Sequence, residues 1–265
     1  MYKSYESLLI DVADGIAVIT MNRPSAMNAI TDGMNAELRS IWRDLDNDPA
    51  VRVSVLIGSG DRAFSAGGDM KEAAAKFQRE GTDYFDMVVG ELRAADELVY
   101  NLIHARKPVI SAINGVAVGA GLAVALLADI SIMADDARLI DGHAPLGLTA
   151  GDHSSMIWPL LCGMAKSKYY LLTSEAISAK DADALGLVSK VVPQSDLMTE
   201  AMAVARKVAD YSQFAMETTK RALNQWLRLG GLASFDYSLA TEMLCYFDGR
   251  GEAARAAAKT AEAAS

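Results

Sequence analysis

At 265 residues, 51% of them hydrophobic and 22% charged, the chain has the apolar material for a large globular core and not the composition of a disordered or fibrous protein. Its formal charge of −9, with no basic run, excludes general affinity for nucleic acid or an anionic membrane, since both repel an acidic surface. Cys162 and Cys245 are too few for a disulfide framework and lack metal-ligand spacing, so packed, reduced thiols in a cytoplasmic protein are expected.

The N-terminal "MYKSYESLLIDVADG" has no apolar run of signal-peptide length. "LLIDVADGIAVITMN" reads as two apolar runs about Asp14-Gly15, a hairpin. Past the loop "NRPSAMNAI", Met34, Leu38, Ile41, Trp42 and Leu45 recur at helical spacing behind Thr31 or Asp32 as cap. "VRVSVLIG" alternates as a strand, the loop "SGDRAFSAGGD" follows, and helical sequence begins at about Asp69 and again over residues 82–104. Pro108 to Ala128 holds no charged side chain and is long enough to cross a bilayer, but Pro108, Asn114-Gly115, Gly119 and Gly121 divide it into a strand, a turn and a buried helix. "ISIMA" and "ARLID" are short strands; a helix over 178–185 and the strand "LGLVSKVV" come next. Helices over 196–210, 212–228 and 232–246 then accumulate, and the alanine-rich end is read as helical or frayed. The order predicts an α/β core over residues 1–195 and a helical region over 196–265.

Two glycine-rich strand-to-helix junctions, "AFSAGGDMKE" and "NGVAVGAGLAVA", stand out. The first N–H groups of a helix have no intrahelical partner, and glycines let a ligand oxygen approach them. Two such donors aimed at one point would form an oxyanion hole. A dinucleotide site is disfavoured because Val124 stands where the third glycine of that fingerprint belongs, and no phosphate-loop lysine pattern exists. A third stretch, "DGHAPLGLTAGDH", concentrates two of the three histidines with aspartates in one loop. An aspartate accepting from one imidazole nitrogen of His143 would leave the other as a base; Asp152, nine residues on, is the candidate. His153 would point elsewhere on an extended chain, and a metal site of His143, Asp152 and His153 is disfavoured for want of a further ligand.

The order of "NRPSAMNAI", "AFSAGGDMKE", "PVISAINGVAVGAGLAVALLADISIMADDARL" and "SAKDADALGLVSKVV" resembles the enoyl-CoA hydratase/isomerase (crotonase) superfamily over about three quarters of the chain. The resemblance implies a spiral of ββα units, a C-terminal helical region that builds trimers often paired into hexamers, and an acyl-CoA thioester as substrate with no other cofactor. It implies Gly68 and Ala120 as the oxyanion-hole donors, and Ala66, Gly67, Asp69, Met70, Lys71 and the Ser25, Ala26, Met27 loop as substrate-binding. Where family hydratases place two glutamates this chain has Ala123 and His143, so the usual carboxylate pair is missing. The loop also resembles that of 6-oxocamphor hydrolase, a member that cleaves a β-diketone with a histidine and an aspartate nine residues apart; in that likeness "LATEML" makes Glu242 a proton-transfer candidate, against a salt bridge at a subunit contact. Three functions follow: a CoA-thioester enzyme using His143 and Asp152, a carbon-carbon hydrolase of a β-dicarbonyl, and a non-catalytic acyl-CoA-binding relative.

Overall fold

The computed structural model describes residue 2, residues 4–77 and residues 83–248. The hairpin of β1 (Leu8–Ala13) and β2 (Ile16–Met21) forms as expected, with Asp14 at φ 52° and Gly15 at φ 80° in the left-handed region that a two-residue turn requires. Helix α1 (Asp32–Asn47) starts at Thr31, whose side chain accepts from Met34 N, and buries all five residues of the expected stripe. β3 (Val53–Gly58), β4 (Ala63–Ser65), α2 (Met70–Phe77) and α3 (Tyr84–His104) follow. The uncharged stretch from Pro108 folds as β5 (Val109–Ile113), β6 (Val116–Val118) and α4 (Gly119–Leu126). No helix among the described residues is long and apolar enough to cross a membrane.

β7 (Ile130–Ala134) and β8 (Arg138–Ile140) lead into α5 (Ser154–Thr173), then β9 (Ile177–Ser178), α6 (Ala179–Leu185) and β10 (Lys190–Val192). The large sheet has the order β1-β2-β3-β5-β7-β10 and the small one β4-β6-β8-β9. Each of the pairs β3–β4, β5–β6 and β7–β8 thus sends one strand to each sheet before the chain turns helical. This is the winding of ββα units that the resemblance implies. Sequence periodicity does not register β4, β6 or β9, because two or three residues are too few to alternate. It does not register α5 either, where Pro159 lies inside the helix and Gly163, at φ 76°, interrupts it.

The C-terminal region is helical over α7 (Leu197–Asp210), α8 (Gln213–Gly230) and α9 (Asp236–Cys245), with a π-helical turn at Gly231–Phe235 between the last two. α7 packs on β3, β5 and β7 and buries Ala201 and Ala205. α8 is fastened by the Lys220–Asp129 ion pair at 2.8 Å and by Asn224, whose amide donates to Ile103 O. That anchorage carries α9 over the open end of the spiral and brings Glu242 to the loop that follows β8. The alanine-rich end lies outside the described residues.

Candidate active site

Parallel pairing of β4 with β6 sets the two glycine-rich junctions side by side. Gly67 has φ +84°, and a Cβ there would lie 2.8 Å from Val118 O, so only glycine allows this approach. Ile30 bridges the first junction through Gly67 O and Asp69 N, on either side of Gly68, which turns the Gly68 N–H the other way. Ala120 is the second residue of α4, whose cap Val118 contributes no side-chain bond, so its N–H has no intrahelical partner. Gly68 and Ala120 line one cavity of about 460 Å³, together with His143, Asp152 and Glu242.

The loop after β8 folds back through a 3-10 turn, Ala144–Leu146, where His143 O accepts from both Leu146 N and Leu148 N at 3.0 Å. The imidazole Nδ1 of His143 lies 3.1 Å from each oxygen of Asp141, and Ser154 Oγ donates to Asp141 Oδ2 at 2.8 Å. The carboxylate that orients the ring is therefore Asp141, not Asp152 as the spacing suggested. Asp152 instead faces the opposite nitrogen: Nε2 is 3.8 Å from Asp152 Oδ2 and 3.7 Å from Glu242 Oε1. His153 turns away from His143. Its Nδ1 meets Asp152 Oδ1 at 2.6 Å and its Nε2 accepts from the Trp158 indole at 3.3 Å, which fixes Asp152 from behind.

Burial opposes a charge on His143, but Asp152, Asp141 and Glu242 outweigh it and push the ring up to about 10, so it is imidazolium at neutral pH. Burial would raise Asp152, yet His153 and His143 hold it well below the usual carboxylate range. Glu242 behaves oppositely: burial, aided by the charges of Asp152 and Asp141 and opposed by His143, pushes it up to about 8. It keeps its proton at pH 7, and its buried Oε2 has no hydrogen-bond partner among the described residues. Asp141, His143 and Asp152 bring ligand atoms within 4.8 Å of one another, a grouping that excludes His153. Asp141 already accepts from His143 and Ser154, so this donor set suits proton sharing better than a cation.

Gly151 makes room for Glu242, since a Cβ there would lie 2.5 Å from Glu242 Oε2 and 2.7 Å from Ser238 O. Gly151→Ala is expected to displace the carboxyl, destabilise the fold by about 1–3 kcal/mol through overpacking and lower turnover; an unchanged melting temperature and rate would show that the contact is slack.

Of the other residues singled out in the sequence, Ala66, Gly67, Asp69 and Met70 line the cavity. The Asp69 carboxylate is occupied, pairing with Arg23 at 2.9 Å and accepting from Lys71 N and Glu72 N. Lys71 and Ser25 are exposed and, with the half-buried Ala26 and Met27, lie outside the lining, although Met27 O accepts from Ala66 N and so ties that loop to the first junction. Ala123 lies buried against the cavity where a hydratase glutamate is expected. Asp141 and Glu91, which lines the cavity from α3, were not singled out. Asp141 had a signal, being two residues before His143 in the same loop, whereas Glu91 is one acid among several on a helix face.

A spiral of ββα units with two glycine junctions and a buried acid-histidine cluster on one cavity is the architecture of the crotonase type. The chain belongs to the enoyl-CoA hydratase/isomerase family, whose model matches residues 11–242, and it is an enoyl-CoA hydratase/isomerase-like enzyme. It is 33% identical to a crotonyl-CoA hydratase of Syntrophomonas wolfei over 226 residues, 85% of this chain and 84% of that one. It is 35% identical to a probable enoyl-CoA hydratase of Rhizobium meliloti over the same shares of the two chains. Among solved structures, an enoyl-CoA hydratase/isomerase from Mycobacterium paratuberculosis superimposes with a TM-score of 0.86 at 35% identity, covering 94% of this chain and 97% of that one.

Proposed function

We propose that this enzyme hydrates an enoyl-CoA thioester by a relay through Glu242, His143 and Asp152 in place of the family's glutamate pair. The observation that carries this is His143 Nε2 set between Asp152 and Glu242 at 3.8 and 3.7 Å, in the cavity that Gly68 and Ala120 also line. The thioester oxygen accepts from the N–H groups of Gly68 and Ala120, which stabilise the negative charge it acquires as the enolate forms. Water bonds to Cβ and gives its proton to Asp152; neutral Glu242 gives its proton to Cα. Taking up the water proton neutralises Asp152, and this eases the negative charge that Glu242 acquires as it gives up its own proton. The His143 Nε2 proton then passes to Glu242 while Asp152 returns one to Nε2, which restores the resting state. No cofactor beyond the coenzyme A of the substrate is needed.

The exposed apolar residues of the C-terminal helices, Phe214, Leu223, Trp226, Leu229 and Leu232, support a homotrimer or a hexamer formed from two trimers. The acidic composition and the small number of cysteines accord with a cytoplasmic enzyme.

The purified protein is expected to consume the enoyl absorbance of crotonyl-CoA. A cyclic β-diketone and a β-ketoacyl-CoA, followed by their cleavage products, are assayed beside it. Cleavage without hydration would replace the relay with carbon-carbon hydrolysis, and CoA-ester binding without any turnover would make the chain a non-catalytic relative.

A further inference from the structure

We infer that the cavity selects an uncharged acyl group and that Glu91 is the residue that turns a carboxylate-bearing one away; this rests on the acyl-thioester reading above. The cavity wall contributed by α3 begins with the apolar side chains of Ala94, Ala95, Leu98 and Val99 and ends at Glu91, across from Asp32 and Glu72. No lysine or arginine lines it among the described residues. The cations nearby are already engaged from outside. Lys76 stands behind the wall with its Nζ 3.0 Å from Asp32 Oδ2 and hydrogen-bonded to Glu91 Oε1, so one ammonium answers for two carboxylates. Glu72 accepts from the Asp32 N–H at 2.9 Å, a contact that orients its charge without neutralising it. Arg23 is taken by Asp69, and the His143 imidazolium sits among Asp141, Asp152 and Glu242.

An acyl chain that extends from the Gly68 and Ala120 donors along α3 therefore meets methyl groups and then oxygens that only accept. A carboxylate at the end of the acyl group would add a further negative charge to a rim of net negative charge, where three carboxylates share one ammonium and like charges repel. A methyl group in the same place loses nothing. Glu91 is the carboxylate of that wall on α3 itself, with a side chain 32% exposed, and it shares its counter-ion. Selectivity here is repulsion of the wrong substrate as much as attraction of the right one.

The test is calorimetric binding of pentanoyl-CoA and glutaryl-CoA, saturated thioesters that cannot be hydrated and that differ chiefly in the terminal carboxylate. Glutaryl-CoA is expected to bind at least about thirtyfold more weakly. Glu91→Gln should narrow that ratio about fivefold or more, because it removes a charge and frees Lys76. Lys76→Met should widen it, by removing the cation and leaving both carboxylates. Glutaryl-CoA binding within threefold of pentanoyl-CoA, or a ratio indifferent to both substitutions, would overturn the inference. Crotonyl-CoA turnover separates the two readings: pentanoyl-CoA selectivity without hydration removes the relay and leaves the selectivity standing, and failure of both thioesters to bind removes both.

Discussion

His143→Ala is expected to lower turnover by about 10³-fold and stability by about 3–5 kcal/mol. Both losses have the same origin. The imidazolium is the positive charge at the centre of Asp141, Asp152 and Glu242, and its removal leaves two buried carboxyl groups and the largely covered Asp152 facing one another. In the wild-type protein the ring is raised from 6.5 to about 10, so its contribution to stability is complete below about pH 6.5 and is lost as pH rises through about 10. Asp152 is held low, partly by His143, and the stability this supplies is present above the unfolded-state value and lost on acidification. In the variant that support for Asp152 weakens and Glu242 rises further. The folded variant then holds protons that the unfolded chain has released, and its stability falls as pH rises from 5 to 8. Urea unfolding at those two pH values, alongside the crotonyl-CoA rate, checks this. A variant that keeps more than about a tenth of the wild-type rate would remove His143 from the relay.

The fold was legible where a segment is long enough to declare its period. The stripe of α1 is read directly from its period, the hairpin from its Asp14-Gly15 turn between two apolar runs, and β5 from the length and β-branching of its apolar run. The second sheet escaped because its strands are two or three residues long, and it exists only through pairing with partners distant in sequence. Within the site, the glycine junctions were visible as composition, but their approach depends on the β4–β6 pairing. Spacing and a likeness of motif joined His143 to Asp152, and the two do meet, but Asp141 takes Nδ1 and orients the ring while Asp152 faces Nε2 at 3.8 Å. Which nitrogen meets which carboxylate is set by the 3-10 turn after His143 and by Ser154 holding Asp141, and neither leaves a mark in the order of residue types. Glu242 entered only through a likeness of motif. Its burial beside Gly151, and the proton that burial gives it, follow from where α9 lands.

Glu242→Gln should separate catalysis from stability. Glutamine has nearly the shape of the protonated carboxyl that occupies this position at neutral pH, so packing against Gly151 is preserved. The fold should gain. Glu242 is raised from 4.5 to about 8, which means the folded state holds a proton over that interval that the unfolded state has given up. Stability contributed by this group is therefore lost progressively as pH rises from about 4.5 to about 8, and glutamine, which does not titrate, abolishes the loss. An increase of about 1–2 kcal/mol, or about 3–6 °C in melting temperature, is expected near pH 7. The advantage should vanish at pH 4.5 and grow towards pH 8. Turnover should fall by about 10²-fold or more, because the amide has no proton to give Cα. The wild-type rate should decline as pH rises through about 8, as Glu242 loses the proton it donates, and the residual rate of the variant should lack that limb. A variant as active as the wild type would make Glu242 a packing residue, whereas an inactive variant with no gain in stability would show that the carboxyl works as an anion and that the proton reaches Cα from His143.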